Sequence, residues 1–297
     1  MNVIMRPVFN RVEMLYLSLE YEIAARKYFE ISDEFITLFV VEYGSPKETI
    51  GLINNYPFAK KIINRKERYG LSKNILLGMK DAFEIADDYI IYIEDDVLIH
   101  RTYFQYMNIL LNMFTKNEYS VLAAYNGDDD GDVNALYRGH HYAALAPLIN
   151  KEFFIYYIKP CIIPSYYENY VSRDNFCRAL AQKYKDNELY KYRNSPGTHN
   201  EQAGLINKLV DVALIEEKKY VITPFVNRQQ HIGYFGKNRP GGIIPGNNFD
   251  ERLINLREII KNADKMYKLS AAKAYNDYRT FSSKLNTWDG TLYLRGD

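Results

Sequence analysis

Three consecutive carboxylates, Glu94, Asp95 and Asp96, follow a short apolar run, Tyr89–Ile93 (YIIYI). Adjacent carboxylates repel one another and are costly to take out of water. A divalent cation resolves that conflict. Mg2+ or Mn2+ takes oxygen ligands, often one or two carboxylates completed by substrate phosphates. On an extended backbone Glu94 and Asp96 project to one side and Asp95 to the other. At most two of the three acids can then share one metal. An acidic turn or a helix cap is the plainer alternative; the buried character of the YIIYI run favours the metal. A second acidic stretch, Asn126–Asn134 (NGDDDGDVN), reads as a loop carrying Asp128, Asp129 and Asp130. No G-x-G-x-x-G after a strand, no Walker A sequence, no G-x-S-x-G and no H-E-x-x-H occurs, which argues against dehydrogenase, NTPase, α/β-hydrolase and zincin chemistry.

Elements that would position these acids alternate along the first hundred residues. Strands are predicted over Asn2–Met5, Phe35–Val41, Ala59–Asn64 and Tyr89–Ile93. Phe35–Val41 (FITLFVV) is a continuous apolar run broken only by Thr37, which is how a strand buried on both faces of a parallel sheet reads. Helices are predicted over Val12–Phe29, Glu48–Asn55 and Ser72–Ala86, the last with Ser72 as N-cap. Such alternation predicts an α/β fold with a mostly parallel sheet. Ligands of such sheets sit at the carboxyl ends of the strands, which is where Glu94–Asp96 lie. Further on, Phe104–Phe114, Tyr166–Asp186, Glu201–Leu209 and Glu251–Tyr278 have helical spacing. Val121–Tyr125, Tyr142–Ile149 and Tyr220–Pro224 read as strands, and Lys191–His199 and Gly233–Asn248 as loops.

Composition bounds the rest. The chain has 297 residues, 47% hydrophobic and 25% charged, ordinary values that exclude wholesale disorder and fibrous repeats. The formal net charge is +1, so no strongly basic surface for nucleic acid is forced. Two cysteines, Cys161 and Cys177, make no disulfide framework and read as reduced thiols. No apolar run approaches the roughly 18–20 residues that span a bilayer, and no signal-peptide pattern opens the chain. The expectation is a soluble, cytoplasmic protein. Tyrosine is abundant, at 28 residues; the Tyr-rich stretch 137–192 offers rings that would stack on sugars or bases alike.

The stretch Arg68–Ile99 (RYGLSKNILLGMKDAFEIADDYIIYIEDDVLI) resembles glycosyltransferases of the GT-A fold. It has the family 2 pattern of a Gly-Leu-Ser-x-Asn helix start followed by a strand ending in a D-x-D-type metal motif. The EDD form is similar to N-acetylglucosaminyltransferase I-like enzymes. Arg6–Leu19 (RPVFNRVEMLYLSL) resembles their first strand–turn–helix, with its N-R-x-x-x-L signature. Ala124–Gly131 (AYNGDDDG) resembles an acceptor-side A-W-N-D-N-G segment. His199–Asn207 and Gln230–Arg239 resemble a later helix start and a glycine-rich loop. The likeness runs in order over about residues 3–240. It implies a GT-A domain over 1–250, with a nucleotide-sugar half (1–100) and an acceptor half (101–250), followed by a C-terminal helical extension over 251–297.

The resemblance also implies a chemistry. A nucleoside diphosphate sugar, most often a UDP-sugar, would be the donor, with Mn2+ or Mg2+ as cofactor. Asp96 would be the direct metal ligand, Glu94 would ligate through water and Asp95 would touch the ribose or the sugar. His231, at the head of the Gly233–Gly242 loop, would complete the metal shell. Lys237 and Arg239 would bind the diphosphate. Arg6, Pro7, Asn10 and Arg11 would form the first nucleotide-binding turn. Glu42 would take the place of the second-strand acid that holds the nucleoside. Arg68, Gly70, Leu71 and Asn74 would lie near the nucleotide, at a helix N-terminus that favours anions. The base that takes the acceptor proton in an inverting transfer would be one of Asp128, Asp129 and Asp130, or Glu201. Carbohydrate, glycoprotein and modified-DNA acceptors all stay open. The rival readings are a nucleotidyltransferase and a non-catalytic sugar- or nucleotide-binding protein.

Overall fold

A computed structural model describes residues 1–31, 34–126, 131–139, 142–162, 210, 214, 219–232 and 281–295. The run Phe35–Val41 forms β2 over those seven residues, with every side chain but Ile36 buried. It lies between β1 (Asn2–Val8) and β3 (Lys60–Asn64), and β4 (Tyr89–Tyr92) flanks β1 on its other side. All these neighbours are parallel, so each connection needs a crossover. The crossovers are α1 (Val12–Tyr28), α2 (Lys47–Asn54) and α3 (Gly70–Ile85). β1 runs past the strand predicted over Asn2–Met5 and takes in Arg6, Pro7 and Val8. α3 starts two residues before Ser72, which is buried in its first turn and is not the N-cap.

After β4 come β5 (Val97–Ile99), α4 (Tyr103–Met113), β6 (Val121–Leu122), β7 (Ala135–Gly139), β8 (Leu148–Asn150) and the short α5 (Lys151–Phe153). β9 (Val221–Pro224), β10 (Gln229–His231) and β11 (Tyr293–Leu294) follow. Nine strands make one sheet in the order β11-β7-β9-β6-β8-β4-β1-β2-β3, while β5 and β10 form a separate ladder. β8 is antiparallel to β4 and β6, and β7 to β9; the other ladders of the large sheet are parallel. The mostly parallel α/β sheet predicted from the sequence is therefore present.

The period-2 alternation of the strands sorts the core into two layers. Val3, Met5, Leu38, Val40, Ile90 and Tyr92 face α3, against Ile75, Met79, Ala82 and Phe83. Ile4, Ile91 and Leu148 face the other way, against Tyr103, Phe104, Met107 and Leu110 of α4. Gly78 lets α3 lie close: a Cβ there would run into Met5 and stand 3.0 Å from Val40.

The end of the chain departs from the predicted helical extension. Residues Ser283–Thr287 make one 3-10 turn and β11 then adds a strand to the sheet edge beside β7. Trp288 packs into the α4-side core, with the Arg228 guanidinium 4.3 Å over its ring. The helices predicted over Tyr166–Asp186, Glu201–Leu209 and Glu251–Tyr278 lie outside the described residues, as do the loops Lys191–His199 and Gly233–Asn248 and the side chains of Cys161 and Cys177. Among the described residues no helix is long and apolar enough to cross a membrane.

His100, just past β5, ties this packing to pH. Its side chain is buried, and its Nδ1 accepts the Thr102 backbone N–H at 3.2 Å. Burial, reinforced by Arg101 and Arg228, pushes its pKa down to about 4. An imidazole depressed in this way stays neutral in the folded chain while the unfolded chain takes up a proton, so acid favours unfolding. The associated stability is complete above about pH 6.5 and is lost as the pH falls toward 4, with about 2 kcal/mol gone by pH 5. His100→Asn keeps an acceptor for Thr102 and removes the titration. Its melting temperature is expected to fall less than that of the wild type between pH 7 and pH 5. Parallel declines would show that another group carries the acid sensitivity.

Candidate active site

Because β1, β2 and β4 are parallel, their carboxyl ends open on one edge of the sheet. The register sets Met5 beside Tyr92 and Val8 beside Val41, and the Ile93 N–H donates to the Met5 carbonyl at 3.0 Å. Phe9–Arg11, Glu42 and Glu94–Asp96 therefore leave the sheet side by side.

Asp96 is the focus of this edge, with only 2% of its surface exposed. The Arg11 guanidinium pairs with Asp96 Oδ2 and reaches Asp95 Oδ1 at 3.5 Å. His231 Nε2 stands 3.1 Å from the same Asp96 Oδ2. The small β5–β10 ladder makes that approach possible: it sets Val97 opposite His231, and the Ile232 N–H donates to the Asp96 carbonyl at 2.8 Å. Asp96 Oδ1 is buried and has no hydrogen-bond partner among the described residues. Glu94 turns to Tyr92, whose hydroxyl donates to Glu94 Oε1 at 2.5 Å.

The charges of the three acids are unequal. Burial and then repulsion from Asp96 raise the pKa of Glu94. Burial raises that of Asp95 too, against the pull of Arg11 and of the Phe9 N–H. Burial alone would raise Asp96 likewise, but His231 and Arg11 overcome it and hold this carboxylate far below the usual range. The turn thus keeps one firmly ionised carboxylate, flanked by two acids reluctant to ionise beside it. More positive charge would let all three ionise.

A divalent cation fits this arrangement through the unpartnered Oδ1 of Asp96. His231 is the second donor at hand. Among the described residues no group of three or more His, Cys, Asp and Glu side chains is gathered to hold a metal, and Glu94 is turned to the Tyr92 hydroxyl. Two protein ligands suffice for a hard cation that completes its shell with phosphate oxygens and water.

The other predicted residues divide. Arg6 is fully buried in β1 and faces α1, where it pairs with Glu22 at 3.1 Å and donates to Ser18. It is thus spent on the fold rather than on a ligand, which corrects the expectation of nucleotide contact. Pro7 is buried in the same strand, while Asn10 is exposed at its mouth. Glu42 Oε1 accepts the backbone N–H groups of Tyr43 and Tyr69, each at 2.9 Å, so this acid ties the end of β2 to the start of α3. Gly70 opens α3 at φ +74°, a value that suits glycine. Asn74 is buried, accepting Arg65 Nε at 3.0 Å and donating to the Val40 carbonyl at 3.4 Å, and Leu71 packs on the core. Both serve the fold. Arg68 is exposed, its guanidinium 5.5 Å over the Phe9 ring. Asp128, Asp129, Asp130, Glu201, Lys237 and Arg239 lie outside the described residues.

Sequence reading missed two groups here. Tyr69 lies under Lys73 at 4.2 Å and Arg65 at 5.2 Å, giving the edge beside Glu42 an aromatic ring with two cations. Ser18 accepts from Arg6 and donates to the Val97 carbonyl at 2.5 Å, anchoring the residue that follows Asp96. Its spacing from Glu22 and Arg26, four residues each on α1, was the available signal.

Fold and site together define a layered α/β protein with an acidic turn at the carboxyl edge of its parallel strands. No family model and no curated protein sequence matches the chain. Solved structures similar to it are glycosyltransferases. One is a mannosyltransferase, PcManGT, from Pyrobaculum calidifontis, solved with GDP-Man and Mn2+ (TM-score 0.40, 11% identity, 52% of this chain and 45% of that one). A second is S. aureus TarS, residues 1–349, with UDP-GlcNAc (0.38, 11%, 52% and 46%). A third is GlyE from Streptococcus pneumoniae TIGR4 (0.39, 10%, 95% and 65%). The matched parts of the first two span less than half of those chains.

Proposed function

We propose that this chain is a metal-dependent glycosyltransferase that moves a sugar from a nucleoside diphosphate sugar, a UDP-sugar first, to an acceptor hydroxyl with inversion. The observation that carries the reading is Asp96: a buried, firmly ionised carboxylate at the carboxyl edge, with one oxygen lacking a partner and His231 beside the other. Asp96 and His231 would hold the cation. Bound there, Mn2+ or Mg2+ would stabilise the charge that gathers on the departing diphosphate. Arg11 adds a fixed positive charge on the same edge, available to phosphate oxygens as a planar donor. Asn10, Arg68 and the Tyr69 ring border the place a nucleoside would take. Asp128–Asp130 and Glu201 remain the candidate bases, and the acceptor is a carbohydrate, a glycoprotein or a modified DNA base.

The test is a donor panel of UDP- and GDP-sugars scored by release of the nucleoside diphosphate, with Mn2+ and with EDTA. Release from one donor that needs the metal is expected. Pyrophosphate release from nucleoside triphosphates would favour a nucleotidyltransferase instead. Metal-independent nucleotide binding without turnover would point to a binding protein.

A further inference from the structure

We propose that Arg11 is a built-in counter-cation for Asp96, which a divalent metal must displace, so that Arg11 sets the metal affinity of the nucleotide-free protein. This rests on the metal site proposed above. The groups facing the turn are Arg11 and His231 on Asp96, Arg11 and the Phe9 N–H on Asp95 with the Arg6 charge behind it, and Tyr92 on Glu94. Arg11 sits on Asp96 Oδ2, the carboxylate that would bind the metal, while Oδ1 stays unpartnered. A guanidinium and a divalent cation on one carboxylate repel each other strongly in so dry a place. Guanidinium cannot shed its proton to relieve that repulsion, so it has to move.

The geometry gives it a way out. Arg11 immediately precedes α1, at the rim, and its side chain is 30% exposed, whereas that of Asp96 is 2% exposed. Among the described residues its guanidinium makes hydrogen bonds to the two aspartates alone. Leaving them breaks no hydrogen bond to the core. A nucleoside diphosphate arriving with the metal would offer the freed guanidinium new oxygens. Metal without nucleotide would offer none, so the free protein resists loading with metal.

Mn2+ binding to the full chain, by calorimetry and by electron paramagnetic resonance of free Mn2+, tests this in wild type, Arg11→Gln and Arg11→Lys. Without nucleotide, Arg11→Gln is expected to bind Mn2+ about tenfold tighter than wild type, because the competing charge is gone. Arg11→Lys keeps the charge and is expected to stay near wild type. Mn2+ should also raise the melting temperature of Arg11→Gln more, since that variant leaves Asp96 without its guanidinium counter-charge until metal arrives. Arg11→Gln binding no tighter than wild type, or Arg11→Lys binding as tightly as Arg11→Gln, would overturn the counter-cation role. A parallel titration with UDP present separates the two readings. Mn2+ uptake by wild type with UDP but no tightening in Arg11→Gln removes the role of Arg11 alone. No uptake by any variant, with or without UDP, removes the metal site and this inference with it.

Discussion

Replacing Asp96 by Asn is expected to cut metal-dependent release of nucleoside diphosphate by about a thousandfold, some 4 kcal/mol of transition-state stabilisation. Asn matches Asp in shape and still accepts from His231 or Arg11, so the fold should survive; unchanged circular dichroism would confirm it. What the substitution removes is the ionised oxygen pair. Asp96 keeps its charge in the dry edge of the sheet because His231 and Arg11 stand beside it, and its Oδ1, without a partner among the described residues, is where the proposed cation would find an uncommitted ligand. The neighbouring acids differ. Glu94 is engaged by Tyr92 and Asp95 by the Phe9 N–H and Arg11. Glu94→Gln and Asp95→Asn are therefore expected to cost about tenfold each, through the local field rather than through a lost ligand. If Asp96→Asn keeps more than a tenth of the wild-type rate while Glu94→Gln is inactive, the metal ligand has been assigned to the wrong acid. His231→Ala should fall between the two, losing one ligand but leaving the carboxylate.

Much of the first hundred residues was legible because the signals there are local. Phe35–Val41 has no polar residue but Thr37, and Tyr89–Ile93 none that is charged, so each reads as a buried strand and forms one. Once two parallel strands are fixed, the acids at the end of the second must reach the carboxyl edge. The approach of His231 to Asp96 was anticipated only as a shared ligand set. What brings it there, the β5–β10 ladder, joins segments more than a hundred residues apart and leaves no periodic trace in strands of three residues. β11 was hidden for the same reason: two residues at the sheet edge beside β7 cannot be told from a loop by alternation. Glu42 and Asn74 illustrate a different limit. A polar residue at a strand end or near a helix start has two uses, ligand or internal partner, and only the fold shows the internal bonds these two make, Glu42 to the Tyr43 and Tyr69 N–H groups and Asn74 to Arg65 and the Val40 carbonyl.

Arg6 carries that limit into the core, and with it a large expected effect on stability. Reading β1 as ending at Met5 placed Arg6 in a binding turn; in fact the strand continues, and its alternation directs residues 4, 6 and 8 toward α1. There α1 presents Ser18, Glu22 and Arg26, spaced by four residues on one face and all buried. Glu22 lies between two fully buried guanidinium groups, Arg6 at 3.1 Å and Arg26 at 3.7 Å. Arg26 also donates to the Tyr56 hydroxyl and to the Phe35 carbonyl, each at 2.9 Å, and Tyr56 donates back to Glu22. Glu22→Gln keeps the shape and strands both guanidinium groups without a counter-charge. It is expected to cost about 3–5 kcal/mol, which for a domain of this size lowers the melting temperature by about 10 °C. Replacing Arg6, Glu22 and Arg26 together by Met, Leu and Met should cost less than Glu22→Gln alone, because no charge is then left buried and unpaired. The network also reaches the site: Arg6 grips Ser18, Ser18 holds the Val97 carbonyl, and the Arg6 charge steadies Asp95. Glu22→Gln should therefore weaken Mn2+ binding even at temperatures where the protein stays folded. A Glu22→Gln protein that melts within about 2 °C of wild type, a loss below about 1 kcal/mol, would show that packing, and not this buried charge balance, fastens α1 to the sheet.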